Sequence, residues 1–274
     1  MDVNNRDFIE QVRVMYEADP GYVSSIPFWK LEGMLARSRT CRMTSGSSAC
    51  LYAVDGDRLV FYWSDNKETF LLPLEQVRAL SFLVLHEEFF KLIQDQLDGY
   101  ESTETYTLFY DLPPNGSSPR VLPPEDKSRL QPMAAGYSVA EFCFDGDEDY
   151  EALADLIRET DSHYRLTGNA VRDWTRSPAF APTLWLWAVE RDSGRPVGAA
   201  VSNYDPRLKE TDLDWFYVLP PYQGKGIGRM LVGETISRSR ERSSVIRLSG
   251  VADEFYVKCG FRRKDRWFIA RRSS

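Results

Sequence analysis

Apolar and polar residues follow two different periods along the second half of the chain. A period of about 3.6 residues is typical of an amphipathic helix, and strict alternation is typical of a strand with one buried face. The stretch 147–161 has helical spacing at Leu153, Leu156 and Ile157 and begins with acidic residues. The stretch 137–144 (YSVAEFCF) alternates instead. We therefore predict a strand at 137–144 followed by a helix at 147–161.

The same criteria predict the remaining elements of the second half. They are strands at 184–190 and 196–202, a strand LDWFYV at 213–218, a helix that begins in a glycine-rich turn, a strand at 245–250, a short helix at 252–260 and a last strand at 266–272. Strands and helices mixed in this order predict a mixed α/β domain. Its sheet is expected to centre on the strand 213–218.

The first half predicts a second set of elements. These are amphipathic helices near 5–18 and 27–38, a β-hairpin of 48–54 and 58–64 around Asp55-Gly56-Asp57, a helical region through 74–97 and a strand at 105–112. This order echoes the second half without its first strand and without a glycine-rich turn. The first half is predicted to be a separate α+β domain.

A proline-rich segment separates the two halves. Residues 112–136 carry six prolines and few large apolar side chains. This composition is typical of an extended connector between folded units. We predict an N-terminal domain at 1–111, a linker at 112–136 and a C-terminal domain at 137–274.

Composition narrows the class of protein. The 274 residues include 43% hydrophobic residues, and the formal net charge is −7, which argues against non-specific nucleic-acid binding and suits a cationic ligand. The four cysteines form no C-x-x-C pair and only two histidines are present, so no metal site and no disulfide framework is expected. No apolar run approaches the length of a membrane span. We expect a cytoplasmic protein without a membrane partner.

The glycine-rich turn between strand and helix points to an anion. The first N–H groups of a helix lack intrahelical partners and lie at the positive end of its dipole. Glycines at 224, 226 and 228 leave room for a pyrophosphate on the backbone of 223–229. The spacing fits neither a P-loop nor the G-x-G-x-x-G dinucleotide motif. A glycine turn that serves packing alone is the alternative.

Two motifs resemble those of the GNAT acetyltransferase superfamily. Gln223-x-x-Gly226-x-Gly228 resembles the (Arg/Gln)-x-x-Gly-x-(Gly/Ala) acetyl-CoA loop, and the segment 255–261 (FYVKCGF) resembles the F-Y-x-K-x-G-F segment of that family. A helix and a strand separate the two motifs in the expected order. The resemblance covers about residues 138–272 and implies a GNAT-type fold there.

This resemblance implies a binding site for acetyl-CoA as co-substrate. In the family, the strand before the loop splays from its neighbour, and the pantetheine arm inserts into the opening. The implied cofactor-binding residues are Phe216, Tyr217, Val218, Gln223, Gly224, Lys225, Gly226, Ile227, Gly228 and Arg229. The resemblance also implies Ser249 as a cofactor-binding residue at the pantetheine arm, at a position where family members often have asparagine.

The chemistry of acetyl transfer suggests the catalytic residues. An alkylamine is mostly protonated at neutral pH, so a base must remove a proton. Glu210, Asp212 and Asp214 alternate on one face of the strand, and Asp214 is nearest the expected reaction centre. The N–H of Val218 is the expected oxyanion donor, and Tyr256 matches the family's usual general acid. Alternatively, the three carboxylates are solvent-exposed groups at a strand edge without a catalytic role. The alternative for Tyr256 is a packing role only.

Two functions are consistent with these residues. The first is an acetyl-CoA-dependent N-acetyltransferase whose partner is a small-molecule or peptide amine. The second is a non-catalytic acyl-CoA-binding regulator. The first half is either a degenerate GNAT copy or an unrelated α+β domain that shapes the acceptor pocket or an oligomer interface, such as that of a homodimer.

Overall fold

The computed structural model describes residues 5–113, 135–251 and 253–273. Contacts divide the chain into two compact units. Unit 1 consists of Met1–Phe109, Ser249–Val257 and Arg262–Ser274, and unit 2 consists of Tyr110–Leu248 and Lys258–Phe261. Most of the predicted linker, residues 114–134, lies outside the described residues, so the predicted domain boundaries stay a prediction.

The helices of the described residues are short to medium in length. They are α1 (Asn5–Ala18), α2 (Pro20–Val23), α3 (Phe28–Arg37), α4 (Leu74–Arg78), α5 (Glu87–Lys91), α6 (Glu148–Thr160), α7 (Gly168–Asp173), α8 (Ile227–Ser239) and α9 (Asp253–Lys258). None of the helices in these ranges is long and apolar enough to cross a membrane.

The strands of the described residues occur singly or in runs of two or three between these helices and at the end of the chain. They are β1 (Arg39–Ser45), β2 (Ser48–Asp55), β3 (Arg58–Ser64), β4 (Phe82–His86), β5 (Tyr100–Asp111), β6 (Tyr137–Glu141), β7 (Phe180–Glu190), β8 (Pro196–Asp205), β9 (Glu210–Val218), β10 (Val245–Gly250) and β11 (Arg262–Arg272). The predicted mixed α/β fold class is confirmed.

In unit 1, the strands follow the order β1-β2-β3-β4-β11-β5. β3 and β4 are parallel, and the other neighbours are antiparallel. The last strand of the chain is inserted between β4 and β5, where Trp267 pairs with His86 on one side and Thr105 on the other. Sequence order placed β11 with the C-terminal domain, whereas its pairing places it in unit 1.

The helical region predicted at 74–97 is wrong in its centre. Residues 82–86 form β4, which is parallel to β3 and has Leu83 and Leu85 fully buried. A short continuous apolar run fits a buried parallel strand as well as a buried helix, because periodicity does not distinguish the two. β1 was also missed, since its sequence RTCRMTS has few apolar residues to reveal an alternation.

In unit 2, the strands follow the order β6-β7-β8-β9-β10. The first four are antiparallel neighbours, and β9 and β10 are parallel and joined through α8. Helices α6 and α7 bury Leu153, Ile157 and Val171 against Trp185 and Trp187 of β7. This core fixes the strands from which the candidate site is built.

The two units share one pattern of strand pairing. In unit 1, three antiparallel strands (β1, β2, β3) are followed by α4 and the parallel strand β4. In unit 2, three antiparallel strands (β7, β8, β9) are followed by α8 and the parallel strand β10. Before these strands, unit 1 has the helices α1, α2 and α3, whereas unit 2 has the strand β6 followed by the helices α6 and α7. This correspondence supports the interpretation of the first half as a copy of the same fold.

Candidate functional site

Strand β9 carries most of the predicted site residues of unit 2. β8 pairs with β9 as far as Val218, whereas the pairing of β10 with β9 covers only Glu210–Asp212. Beyond Asp212, β9 therefore continues with β8 alone. The predicted splay of two neighbouring strands is present at this position.

The backbone of β9 presents hydrogen-bonding groups to this opening. The N–H of Leu219 donates to the carbonyl oxygen of Val197 at 2.9 Å, toward β8. Successive peptide groups of a strand point to opposite sides. The N–H and C=O groups of Phe216 and Val218 therefore point away from β8, to the side on which pairing with β10 has ended.

The turn after β9 is held by one side chain. Nε2 of Gln223 donates a hydrogen bond to the carbonyl oxygen of Val218 at 2.9 Å. Pro220–Tyr222 form a 3₁₀ turn between these two residues. The bond ties the predicted cofactor loop to the end of the splayed strand.

Backbone conformation explains two of the three glycines. Gly224 has φ +75° and Gly226 has φ +83°, in the left-handed region that side chains disfavour. A Cβ atom at Gly224 would meet nothing within 4 Å, so its conformation, and not a lack of space in the turn, requires glycine. Gly226 is the N-cap of α8, and the buried Ile227 begins the helix.

The start of α8 is accessible and carries positive charge. Gln223, Gly224, Lys225 and Arg229 are exposed, and Gly226 and Gly228 are half-buried. Nζ of Lys225 lies 4.9 Å from the centroid of the Tyr222 ring. The helix N-terminus and these two cations together are suited to an anion.

A β-bulge determines where the acidic residues of β9 lie. Leu213 pairs with Ser202 and Trp215 pairs with Val201, so Asp214 is an extra residue between the two pairs. Nδ2 of Asn203 donates to Oδ2 of Asp214 at 3.3 Å. This places Asp214 on the side of β9 that also bears Asp212, the cross-strand partner of Asn203.

The bulge changes which later residues share that face. Simple alternation from Asp212 and Asp214 predicts Phe216 and Val218 on the same face. Instead, Trp215 and Tyr217 follow, because they pair with Val201 and Ala199 on the face that packs against α6 and α7. The predicted base thus lies on the face of β9 that bears Trp215 and Tyr217.

Glu210 and Asp212 do not lie at a solvated strand edge. Each is 4% exposed, and Arg247 of β10, the Cα partner of Asp212, is 0% exposed. Nη1 of Arg247 lies 4.0 Å from Oε1 of Glu210. The alternative interpretation of the β9 acids as surface groups is therefore wrong for these two residues, and Asp214 is the half-buried member of the set.

Two more aromatic residues pack on Trp215, the neighbour of Asp214: Tyr164 lies in the loop before α7, and Trp174 begins the 3₁₀ turn that follows α7. The rings of Trp174 and Trp215 stack at 4.7 Å, and Tyr164 meets Trp215 edge-on at 5.1 Å. Burial raises the pKa of Tyr217, and the charges of Asp161 and Asp214 and a hydrogen bond with Tyr164 raise it further. Sequence analysis missed Asn203, Tyr164 and Trp174, because no local motif marks residues that meet only across the fold.

The other predicted site residues belong to unit 1. Tyr256 lies in α9, where its half-buried ring meets Phe255 edge-on at 5.0 Å. The hydroxyl of Ser249 donates to the carbonyl oxygen of Ser25. The catalytic role of Tyr256 and the cofactor contact of Ser249 stay predictions.

Across the described ranges 5–113, 135–251 and 253–273, no group of three or more His, Cys, Asp or Glu side chains could hold a metal ion.

Comparison with known proteins identifies the class of the C-terminal half. The model of the Acetyltransferase (GNAT) family matches residues 149–261. This match confirms the resemblance of the two motifs to the GNAT superfamily, and the segment contains β9, the glycine turn and α8. No curated protein matches the chain significantly in sequence.

Solved structures extend the likeness in fold to the whole chain. A tandem GNAT protein from the clavulanic acid biosynthesis pathway shares 14% identity over 100% of this chain and 97% of its own, at a TM-score of 0.58. A GNAT-family acetyltransferase from Colwellia psychrerythraea shares 11% identity over 98% of this chain and 97% of its own, at a TM-score of 0.60. The fold thus fits the two-domain arrangement of a tandem GNAT protein.

A third structure is similar over a smaller part. The GCN5-related N-acetyltransferase from Sphaerobacter thermophilus shares 19% identity over 72% of this chain, at a TM-score of 0.56. The present chain spans 62% of the length of that protein. At these identities the likeness concerns the fold alone.

Proposed function

We propose that the protein is an acetyl-CoA-dependent N-acetyltransferase that transfers an acetyl group to a primary amine by direct attack in a ternary complex. One observation carries the proposal: β9 leaves its pairing with β10 after Asp212 and then leads directly into the glycine turn of α8. The extended pantetheine arm of acetyl-CoA fits beside the open edge of β9, and its anionic pyrophosphate fits the glycine turn.

The residues of unit 2 suit the parts of this co-substrate. The backbone groups of Phe216 and Val218 would bind the pantetheine arm, because they point away from β8. The backbone of 223–229 would hold the pyrophosphate, with Lys225 and Arg229 adding positive charge. Bound acetyl-CoA would supply the acetyl thioester.

Asp214 is proposed as the base that removes a proton from the acceptor amine. Asn203 holds its carboxylate at 3.3 Å, and the bulge projects it from the regular strand. A carboxylate fixed in a half-buried position can take the proton directly or through a water molecule. Removal of this proton makes the amine a nucleophile.

The N–H of Val218 is proposed to stabilise the negative charge that develops on the thioester carbonyl oxygen. It points to the open side of β9, and the Gln223 bond to the Val218 carbonyl fixes the orientation of this peptide segment. A preorganised donor of this kind needs no rearrangement during the reaction. Tyr256 is proposed, from its match to the family, to donate a hydrogen bond to the departing thiolate.

A free-thiol release assay with acetyl-CoA and a panel of primary amines tests this function. We expect amine-dependent release of CoA and calorimetric binding of acetyl-CoA by the full chain. Asp214→Asn should keep acetyl-CoA affinity and reduce turnover by about 10²–10⁴-fold, the range of general-base contributions. Binding of acetyl-CoA without release with any amine would favour the acyl-CoA-binding regulator instead.

A further inference from the structure

Four aromatic side chains of unit 2 form a partly open surface beside Asp214. We call Tyr164, Trp174, Trp215 and Tyr217 the aromatic cluster. Trp174 and Trp215 are stacked with an interplanar angle of 9°, and Trp215 and Tyr217 lie 6.2 Å apart. Tyr164 is 40% exposed, and the other three are half-buried. Trp174, Trp215 and Tyr217 pack against the core of unit 2, and the cluster remains partly accessible to solvent.

Two carboxylates accompany these rings. Asp214 projects from the bulge of β9, and Asp161 follows the end of α6. Both act on the same phenol, since the charge of each raises the pKa of Tyr217 beyond the effect of burial. The ring of the exposed His163 contacts Asp161, with Nδ1 at 3.0 Å from Oδ1. The aromatic cluster thus has negative charge at its border.

Asn203 adds a buried acceptor at the same place. It is 4% exposed, and its Nδ2 is used by Asp214. Within the described part of the chain, its Oδ1 has no hydrogen-bond partner. A buried polar atom without a partner costs free energy, which a donor from a ligand would recover. An ammonium group at Asp214 could provide this donor.

Aromatic faces and carboxylates select the same kind of ligand. The faces of Trp and Tyr attract cations, and a desolvated site strengthens the attraction. A primary amine is mostly an ammonium ion at neutral pH. A carboxylate on the carbon that bears the amino group would instead approach Asp214 and be repelled. The site therefore attracts an ammonium ion that carries an apolar body. It repels the carboxylate of an amino acid zwitterion.

We infer that the acceptor is a primary amine with an aryl or alkyl body and no carboxylate beside the amino group, bound by the aromatic cluster with its nitrogen at Asp214 and Asn203. This inference rests on the proposed function for the identity of the site as the acceptor site. The aromatic cluster determines substrate class, and Asp214 takes the proton.

Matched ligands test the inference by binding to the full chain. Phenethylamine and L-phenylalanine differ only by the carboxylate, and 2-phenylethanol lacks the ammonium group. Calorimetric titration in the presence of CoA should give at least 10-fold tighter binding for phenethylamine than for either analogue. Equal or tighter binding of L-phenylalanine would overturn the inference, as would the absence of phenethylamine binding to folded protein.

Variants assign the binding to the aromatic cluster. Trp174→Leu should lower the affinity for phenethylamine at least 5-fold. Trp174→Phe keeps an aromatic face and should lower this affinity less. Trp29→Leu in α3 of unit 1 is the control for loss of a half-buried tryptophan and should leave affinity unchanged. An unchanged affinity in Trp174→Leu would place the amine elsewhere.

Thiol release separates this inference from the proposed function. Binding of phenethylamine, together with no thiol release with any amine of the panel, would leave the cation site in place and reject the transferase function. Thiol release with other amines, but no binding of phenethylamine, would retain the transferase function and reject the inferred substrate class.

Discussion

The side-chain amide of Gln223 donates to the carbonyl oxygen of Val218 across the turn that joins β9 to α8, at 2.9 Å. The bond connects the strand whose backbone faces the opening to the loop that starts the helix. This neutral hydrogen bond, together with the backbone hydrogen bonds of the turn, positions the two ends of the proposed acetyl-CoA site relative to each other.

Gln223→Met should weaken acetyl-CoA binding about 3–10-fold, because a hydrogen bond of this kind contributes roughly 0.5–1.5 kcal/mol. Gln223→Arg keeps a long side chain with N–H donors and should retain most of the affinity. Calorimetric titration of both variants measures the effect. Equal loss in both would show that the bond to Val218 does not organise the loop.

Gly226→Asp should reduce acetyl-CoA affinity by more than about 100-fold, since it places a side chain and a negative charge at the helix N-terminus proposed to hold the pyrophosphate. Gly194→Asp is the matched control: Gly194 also has a positive φ, +69°, and lies in the turn between β7 and β8. The control should bind acetyl-CoA normally. Wild-type affinity in Gly226→Asp would mean that the glycine turn is only structural.

Tyr256→Phe keeps the ring of α9 and removes the hydroxyl group. If this hydroxyl assists departure of the thiolate, turnover should fall about 10–1,000-fold while acetyl-CoA affinity is kept, because an interaction made only in the transition state is lost. Tyr204→Phe, which removes a hydroxyl bonded to the Arg242 carbonyl, is the control. Equal kcat in Tyr256→Phe and wild type would remove Tyr256 from the mechanism.

Arg247→Met should lower the free energy of unfolding by about 3–5 kcal/mol, because it removes the buried cation that lies beside the buried carboxylate of Glu210. Arg37→Met is the comparison: the Arg37 side chain is 61% exposed, and its Nε lies 3.1 Å from Oδ2 of Asp55, whose side chain is 36% exposed. The comparison should cost about 1 kcal/mol or less. Urea denaturation measures both, and similar losses would show that burial of the charge is unimportant.

Cys259 should react slowly with iodoacetamide although it is only half-buried. Burial raises the pKa of its thiol from 9.0 to about 11, despite the opposing effect of Arg229. Since the thiolate is the reactive form, its fraction at pH 8 is about 100-fold lower than for a thiol of pKa 9, and the rate should rise with pH up to about 11. Mass spectrometry compares Cys259 with the exposed Cys143. Equal labelling at pH 8 would contradict the prediction.

The fold could be predicted well where elements have a clear period or a motif. The helix at 147–161, the strands 184–190, 196–202 and 213–218 and the helix after the glycine turn correspond to α6, β7, β8, β9 and α8. β4 could not be separated from a helix, because a buried parallel strand has no polar face to create an alternation.

The sequence by itself determined the glycine turn of α8 and the acidic strand before it, because both depend on residues close together in the chain. The turn depends on glycine at 226, which allows a left-handed backbone, and the acidic strand is marked by the carboxylates from Glu210 to Asp214. Only the tertiary structure decided that Asp214 is an extra residue in a bulge, that Trp215 and Tyr217 lie on its face, and that Trp174 and Asn203 meet it. It also decided that β11 pairs with β4 and β5 in unit 1. Such contacts join residues far apart in the chain, and strand register and packing, which no local period encodes, determine which of them form.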